Sequence, residues 1–432
     1  MESSGMKMIS KVALAAALMT GMGSTAFVAP AYAKKDKPAA APAGDSFNLS
    51  KEFRTPAVAA QTAIEAKDFP TAETQISAAE AVAKNDDERY IAATLRFKLI
   101  AAQPQTAATS AALAGPIDAL LANPKTPKTD LARYHYIRGD IFYNLQQYPQ
   151  ALQHYTQARD GGLQDDELSY QIVRTTMESG DVVGGAKVLD TLITTQTAAG
   201  KKPPENWYRY AISRLYKANK TAETEAWTAR WLAAYGTKAN WHDAIYTFGF
   251  QGPGIKRLTD RDRVDLYRLM AATHSLAGQR DYIDYAQASV QIGLPTEGKS
   301  VIEEGRTTSA IPAGNKTATD LLSQANTDIA GDKSFAVQEK NAAASPKGDA
   351  ASQTGDAYLG ARNYAKATAM YDLALTKGVA NADIVHLHRG IAYAMSGDKE
   401  KARADFTAIT SVPQIEIAKL WIVWLDSPAV TS

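Results

Sequence analysis

Ala132–Asp165 reads ARYHYIRGDIFYNLQQYPQALQHYTQARDGGLQD, and the spacing of its small and aromatic residues decides the fold. Gly139 is followed by Phe142, Tyr148, Ala151, Tyr155 and Ala158. The same order recurs towards the C-terminus at Gly355, Tyr358, Tyr364, Ala367, Tyr371 and Ala374. A third copy follows directly, with Gly390, Tyr393, Ala402, Phe406 and Ile409, a turn at Gly397 and Pro413 closing it. A recurrent block of this length is the mark of stacked supersecondary units, because one helix pair cannot bury its own apolar stripe. Small residues at Gly139 and Ala151 let two antiparallel helices approach, with Phe142 and Tyr155 filling the space around them.

These residues resemble the tetratricopeptide repeat, whose signature runs aromatic, Leu-Gly, Tyr, Ala, Phe, Ala, Pro. His135, Ala351 and His386 stand where Trp is usual, and Arg138 and Arg389 replace Leu. The resemblance implies an all-α fold, an α-α superhelix. Helical periodicity and turn signals extend it to weaker pairs. These are Ala57 to Lys67 with the helix after Phe69, Asp86 to Ala102 with Ala107 to Asn123, and Glu167 to Ser179 with Val182 to Thr195. Trp207 to Ala218 with Thr221 to Tyr235, and Arg263 to Ala277 with Asp281 to Ile292, complete the set. The expected organisation is an N-terminal array over 51–306 and a connector of short Ala-rich helices over 307–348. A C-terminal repeat pair with a capping helix would occupy 349–426.

The resemblance also implies a protein or peptide partner, received in a groove lined by the first helices of successive pairs. Positions that family members use for ligand contact fall on Arg133, Tyr136, Asp140, Tyr143 and Asn144, and in the C-terminal pair on Asp349, Ser352 and Asp356. In the last repeat they fall on Ile384, Leu387 and Ile391, which suggest packing. The Lys/Asn pair with which some members clamp a C-terminal carboxylate is absent, since Tyr136 and Asp140 occupy those offsets.

At the N-terminus, Lys7 and Lys11 precede the apolar run Val12 to Met19 and the small-residue site Ala31-Tyr32-Ala33. That order reads as a secretory signal over 1–33, followed by a disordered Lys/Pro/Ala leader over 34–50. The apolar run is too short for a membrane-spanning helix of roughly 20 residues. Cleavage after Ala33 would remove Glu2, Lys7 and Lys11 and take the formal charge of +1 to zero. The expected location is the periplasm of a Gram-negative cell. A neutral chain with dispersed charge has no footprint for nucleic acid, and the absence of cysteine excludes a disulfide framework.

Two features point to other functions. Gly293–Ser300, GLPTEGKS, matches the phosphate-loop pattern of nucleotide hydrolases letter for letter, and Trp421–Asp426 resembles their magnesium-binding strand. A phosphate loop requires a preceding parallel strand, whereas helical periodicity surrounds this one, with Gly293 placed as a helix cap and Thr296 as the next N-cap. The expectation is therefore coincidence and no enzymatic activity, a P-loop hydrolase being the remote alternative. The aromatic-rich stretch Trp207 to Phe250 is either core or an exposed shelf for a glycan or peptidoglycan, which is the nearer alternative. None of the six histidines has the sequence spacing of a metal site, so neither metal nor cofactor is expected.

Overall fold

A computed structural model describes residues 47–251, 258–427 and 430. The expected signal segment over 1–33 and most of the expected leader lie outside these. Among the described residues there is no β-strand, and most of these residues are helical. The chain divides into two compact units at Pro203/Pro204, inside the stretch expected to form one long array.

The first unit contains α1 (Lys51–Glu65), α2 (Phe69–Val82), α3 (Asp86–Ala102), α4 (Ala107–Ala112), α5 (Ala114–Ala122), α6 (Lys128–Asn144), α7 (Tyr148–Asp160), α8 (Asp166–Glu178) and α9 (Val182–Ala198). Helices pair in sequence order, α1 with α2, α3 with α5, α6 with α7 and α8 with α9, and each pair packs on the next. Phe53, Ala60, Ala72, Ile76 and Leu99 form one core layer, and Ala151, Tyr155, Ala158, Leu168 and Ile172 another. The end of the expected leader is tied down. Phe47 stacks on Tyr90 at 5.8 Å, and the Ser50 N–H donates to Glu88 at 2.7 Å. Hydrogen bonds from the Lys84 N–H and from Ser50 pull the Glu88 carboxyl down to about 2.

The close approach in each clear repeat is between the glycine and the aromatic ring, a more intimate contact than the Gly139–Ala151 pairing expected from spacing. A Cβ on Gly139 would stand 2.6 Å from the Tyr155 ring; on Gly355 it would stand 2.5 Å from Tyr371, and on Gly390, 2.5 Å from Phe406. Only a residue without a side chain lets the ring lie on the opposing helix backbone.

The turn inside each pair has its own rule. The residue two places before the second helix is left-handed at Lys67, Gln146, Gly180, Asn219, Arg362 and Gly397, with φ between 54° and 105°. Gln146, Arg362 and Gly397 hold the same repeat position, yet only the last is glycine. The next residue caps the second helix where its side chain permits. Asp68, Asp181, Asn363 and Asp398 each accept a backbone N–H three residues on, which satisfies a helix-terminal donor.

The second unit contains α10 (Glu205–Lys217), α11 (Thr221–Tyr235), α12 (Lys238–Ala244), a π-helical turn (Ile245–Phe250), α13 (Asp260–Ala272), α14 (Gln279–Gln291), α15 (Pro295–Thr307), α16 (Lys316–Gly331), α17 (Phe335–Ala344), α18 (Asp349–Gly360), α19 (Tyr364–Lys377), α20 (Ala382–Ser396), α21 (Lys399–Ala408) and α22 (Gln414–Asp426). The stretch 307–348, read as a connector, carries α16 against α15 and α17 against α18. Segments on either side of it also meet directly, since α13 packs on α22 and α15 on α18. The apolar run Trp421–Asp426 is helical, and Trp421 is buried beside Phe406 as a cap on the last pair.

Candidate functional site

In the first unit Tyr136, Asp140, Tyr143 and Asn144 lie on one face of α6, since residues three and four apart share a helical surface. Tyr136 tilts onto Tyr155 at 5.8 Å, and the Tyr155 hydroxyl donates to Asp140 at 2.6 Å. Tyr143 is half-buried, with the Arg174 guanidinium of α8 lying 4.9 Å above its ring. Asn144 is exposed and Arg133 half-buried. Burial drives the Asp140 carboxyl up to about 7, against the Tyr155 hydrogen bond, and Glu167 adds to the rise. This face presents aromatic rings, an acid close to its neutral form and an arginine shared between successive first helices.

The equivalent residues of the second unit diverge. Asp349 is exposed and accepts the Ala380 N–H at 3.3 Å, while Ser352 is half-buried. Asp356 faces inward, at 4% exposure. It accepts from Tyr371 at 2.9 Å, from Arg261 at 2.5 Å and from His388 Nδ1 at 2.6 Å. The reason is that α13 and α15 cover this face. Sequence offsets place residues on a helix surface, but they do not say which neighbour then buries that surface.

Asp356 belongs to a buried ion network. Arg268 forks onto Glu297 at 2.8 and 2.7 Å and reaches Asp265 at 2.8 Å, and Tyr285 donates to Glu297 at 2.7 Å. His388 Nε2 lies 3.2 Å from Asp265. Burial alone would lower the His388 pKa, but Asp265 and Asp356 on either side raise it to about 9. Burial likewise opposes the charge on Asp356, yet His388, Arg261 and Arg268 hold it well below the usual carboxylate range. With His388 protonated, Asp265, Glu297 and Asp356 balance Arg261, Arg268 and His388. Asp265, Arg268, Glu297, Asp356 and His388 are all buried, so the network holds helices together.

It also settles the geometry of GLPTEGKS. Gly293 ends α14 with φ 82°, and Pro295 opens α15 directly, so Thr296 lies inside the helix and is not its cap. Glu297 points inward to Arg268. The Gly298 N–H donates to the Leu294 carbonyl at 3.1 Å, and a Cβ on Gly298 would stand 2.7 Å from Val290. Lys299 bonds to Asn326 at 3.0 Å. The amides that would hold phosphate are consumed by a helix, and the strand such a loop must follow is α14.

In the aromatic stretch Trp207, Tyr208, Trp227, Trp231 and Trp241 are buried, whereas Tyr216 and Tyr246 are exposed. Trp231 donates to Glu205 at 3.0 Å beneath Arg209. The π-helical turn carries Tyr246 and Phe250 onto a cavity of about 480 Å³ that His242, Arg263, Tyr267 and Asp281 also line. His242 lies parallel on Tyr246 at 5.8 Å, and Phe250 meets Tyr267 at 4.9 Å. The sequence signal for this cavity was aromatic density; what it lacked was which rings the packing would bury.

No protein-family model matches the sequence, and no curated protein matches it. Solved structures similar to it are helical-repeat proteins. The TPR2AB-domain:pHSP90 complex of yeast Sti1 is 11% identical, with 68% of this chain and 98% of that one covered and a TM-score of 0.25. The pentatricopeptide repeat protein PPR10 from maize is 13% identical, with 84% and 59% covered and a TM-score of 0.26. The APC/C hetero-tetramer Cut9-Hcn1 is 11% identical, with 87% and 97% covered and a TM-score of 0.18. Superpositions this loose carry no argument of their own. The glycine-on-ring contacts and the paired helices define the class, a TPR-like helical-repeat protein.

Proposed function

We propose that the chain is a non-enzymatic scaffold that binds a polypeptide along the first-helix face of its first unit. The observation that carries this reading is the surface shared by α6 and α8, where Arg174 lies over Tyr143, Asn144 is exposed, and Arg133, Tyr136 and Asp140 are half-buried on α6. Rigid aromatic and arginine side chains on a fixed helical frame give contact area at little entropic cost. The N-terminal signal pattern supports export to the periplasm with cleavage after Ala33, and a role in cell-envelope assembly or secretion. Among the described residues no helix is long and apolar enough to cross a membrane. Within unit 2, Asp349 and Ser352 stay accessible and would extend recognition by that unit; Asp356 would support it from beneath.

The test compares co-purification by the wild-type chain and by Tyr143→Ala/Asn144→Ala from periplasmic and outer-membrane extract. A polypeptide recovered reproducibly by the first and lost by the second, with unchanged far-UV circular dichroism, is the expected result. Equal recovery by both would place recognition elsewhere.

The cavity at Tyr246 and Phe250 favours a second reading, a glycan held by ring stacking with Asp281 and Asp284 at its edge. Titration with glycan fragments, followed by calorimetry on wild type and Phe250→Ala, separates it from the first.

A further inference from the structure

His135 of α6 and His154 of α7 face one another with their Nδ1 atoms 3.0 Å apart. Both rings are half-buried and reach solvent. Burial lowers both pKa values, so both imidazoles are neutral near pH 7 and hold lone pairs for a ligand. Phe142 stacks on His154 at 5.3 Å and fixes its orientation.

The last repeat shows what the position does otherwise. There His386 faces Asp405 at 2.8 Å, and Arg389 forks onto the same carboxylate at 2.8 and 2.6 Å. In the earlier repeat a histidine replaces that acid. Arg138, at the position of Arg389, instead pairs with Asp118 at 2.7 and 2.9 Å. Its charge is thereby neutralised beside the two rings, which are left with each other.

We propose that His135 and His154 form a two-imidazole site for a divalent late-transition-metal ion, Cu²⁺ foremost, with solvent completing the coordination. Two nitrogens each about 2.0–2.1 Å from one ion, at angles of roughly 90–110°, stand about 2.9–3.4 Å apart. The observed separation falls in that range without movement of either helix. Imidazole nitrogen suits Cu²⁺, Ni²⁺ and Zn²⁺, and the divalent series favours Cu²⁺. The proton that one Nδ1 shares with the other moves to Nε2 of the same ring, so binding requires a change of tautomer and no loss of charge. Among the described residues no group of three or more His, Cys, Asp or Glu could hold an ion, so the protein supplies these two ligands only.

The test is titration of the untagged full chain with Cu²⁺ alone in a non-coordinating buffer, followed by calorimetry and by the visible copper band. One equivalent bound with micromolar affinity is expected, Ni²⁺ and Zn²⁺ binding more weakly. His135→Ala and His154→Ala should each weaken binding by at least about tenfold, and the double variant should abolish it. His274→Ala, an exposed histidine elsewhere, should leave it unchanged. His135→Asn keeps a polar side chain against His154 and serves if the alanine variant unfolds. Absence of wild-type binding at 100-fold excess of Cu²⁺, or undiminished stoichiometric binding by the folded double variant, would overturn the proposal.

Discussion

Gly139 lies flat against the ring of Tyr155, so close that a single methyl group at position 139 would fall 2.6 Å from a ring carbon. The ring is fully buried and cannot retreat. Gly139→Ala should therefore cost about 1–3 kcal/mol in chemical denaturation. Gly115→Ala, on α5 with no atom within 4 Å of the new Cβ, should be neutral or stabilising. Equal effects of the two would mean that helix propensity, not the ring contact, governs the repeat.

The residue after each repeat glycine follows the chemistry of the ring. Asp140 and Asp356 accept the hydroxyls of Tyr155 and Tyr371, whereas Ile391 follows Gly390 opposite Phe406, which has no hydroxyl. Tyr155→Phe leaves the sheltered Asp140 without its donor and should cost about 1–3 kcal/mol. Combined with Asp140→Leu, the two losses should fall short of their sum by at least about 0.5 kcal/mol. Strict additivity would remove the coupling. Asp140 should also titrate near pH 7 by NMR. Because its folded pKa lies above the unfolded value of about 3.9, the unfolded chain binds fewer protons between these values. This group therefore makes stability fall as pH rises through that window, and Asp140→Asn should remove its part of the slope.

At the turn, Gln146 and Arg362 adopt the left-handed conformation that Gly397 adopts freely. Gln146→Gly and Arg362→Gly should each stabilise by up to about 1 kcal/mol, the relief of backbone strain being offset in part by a looser unfolded chain. Adding Gln147→Asp should supply the cap that Asp398 gives the last repeat, for about another 0.5–1 kcal/mol. Thermal melts of the single and combined variants check both.

The pattern of small and aromatic residues made the helix pairs readable because each contact is local, some sixteen residues apart. Capped turns were harder to read, since four of the six left-handed positions carry Lys, Gln, Asn or Arg in place of glycine. Burial of Asp356 was beyond reach, because its charged partners Arg261 and His388 lie in distant helices. The His135–His154 contact escaped for a similar reason. The two are nineteen residues apart, on different helices, and no within-helix spacing reveals them.

Glu297 and Lys299 separate two explanations of GLPTEGKS. Lys299→Ala should leave stability within about 0.5 kcal/mol of wild type, because the lysine's contacts are exposed. Glu297→Ala strands the buried Arg268 and should cost about 3–5 kcal/mol. Nucleotide binding by wild type that Lys299→Ala abolishes would contradict this assignment.

His388 makes the second unit sensitive to alkali. Its folded pKa of about 9 exceeds the unfolded value of about 6.5, so its contribution is complete below pH 6.5 and is lost as pH rises through 9. The loss is on the order of 3 kcal/mol. Denaturation of the second unit, followed by its tryptophan fluorescence between pH 6 and pH 10, checks the sign; a flat profile would show that the imidazolium carries no net weight.

Partners in this network are far apart along the chain, 123 residues between Asp265 and His388 and 152 between Asp262 and Gln414. On the ribosome, α13 therefore emerges with acids and an arginine whose counterparts have yet to be translated. Until the closing segments arrive, those groups must stay hydrated, and the early helices of this half cannot seal against one another. Its final consolidation waits on the emergence of α20 and α22.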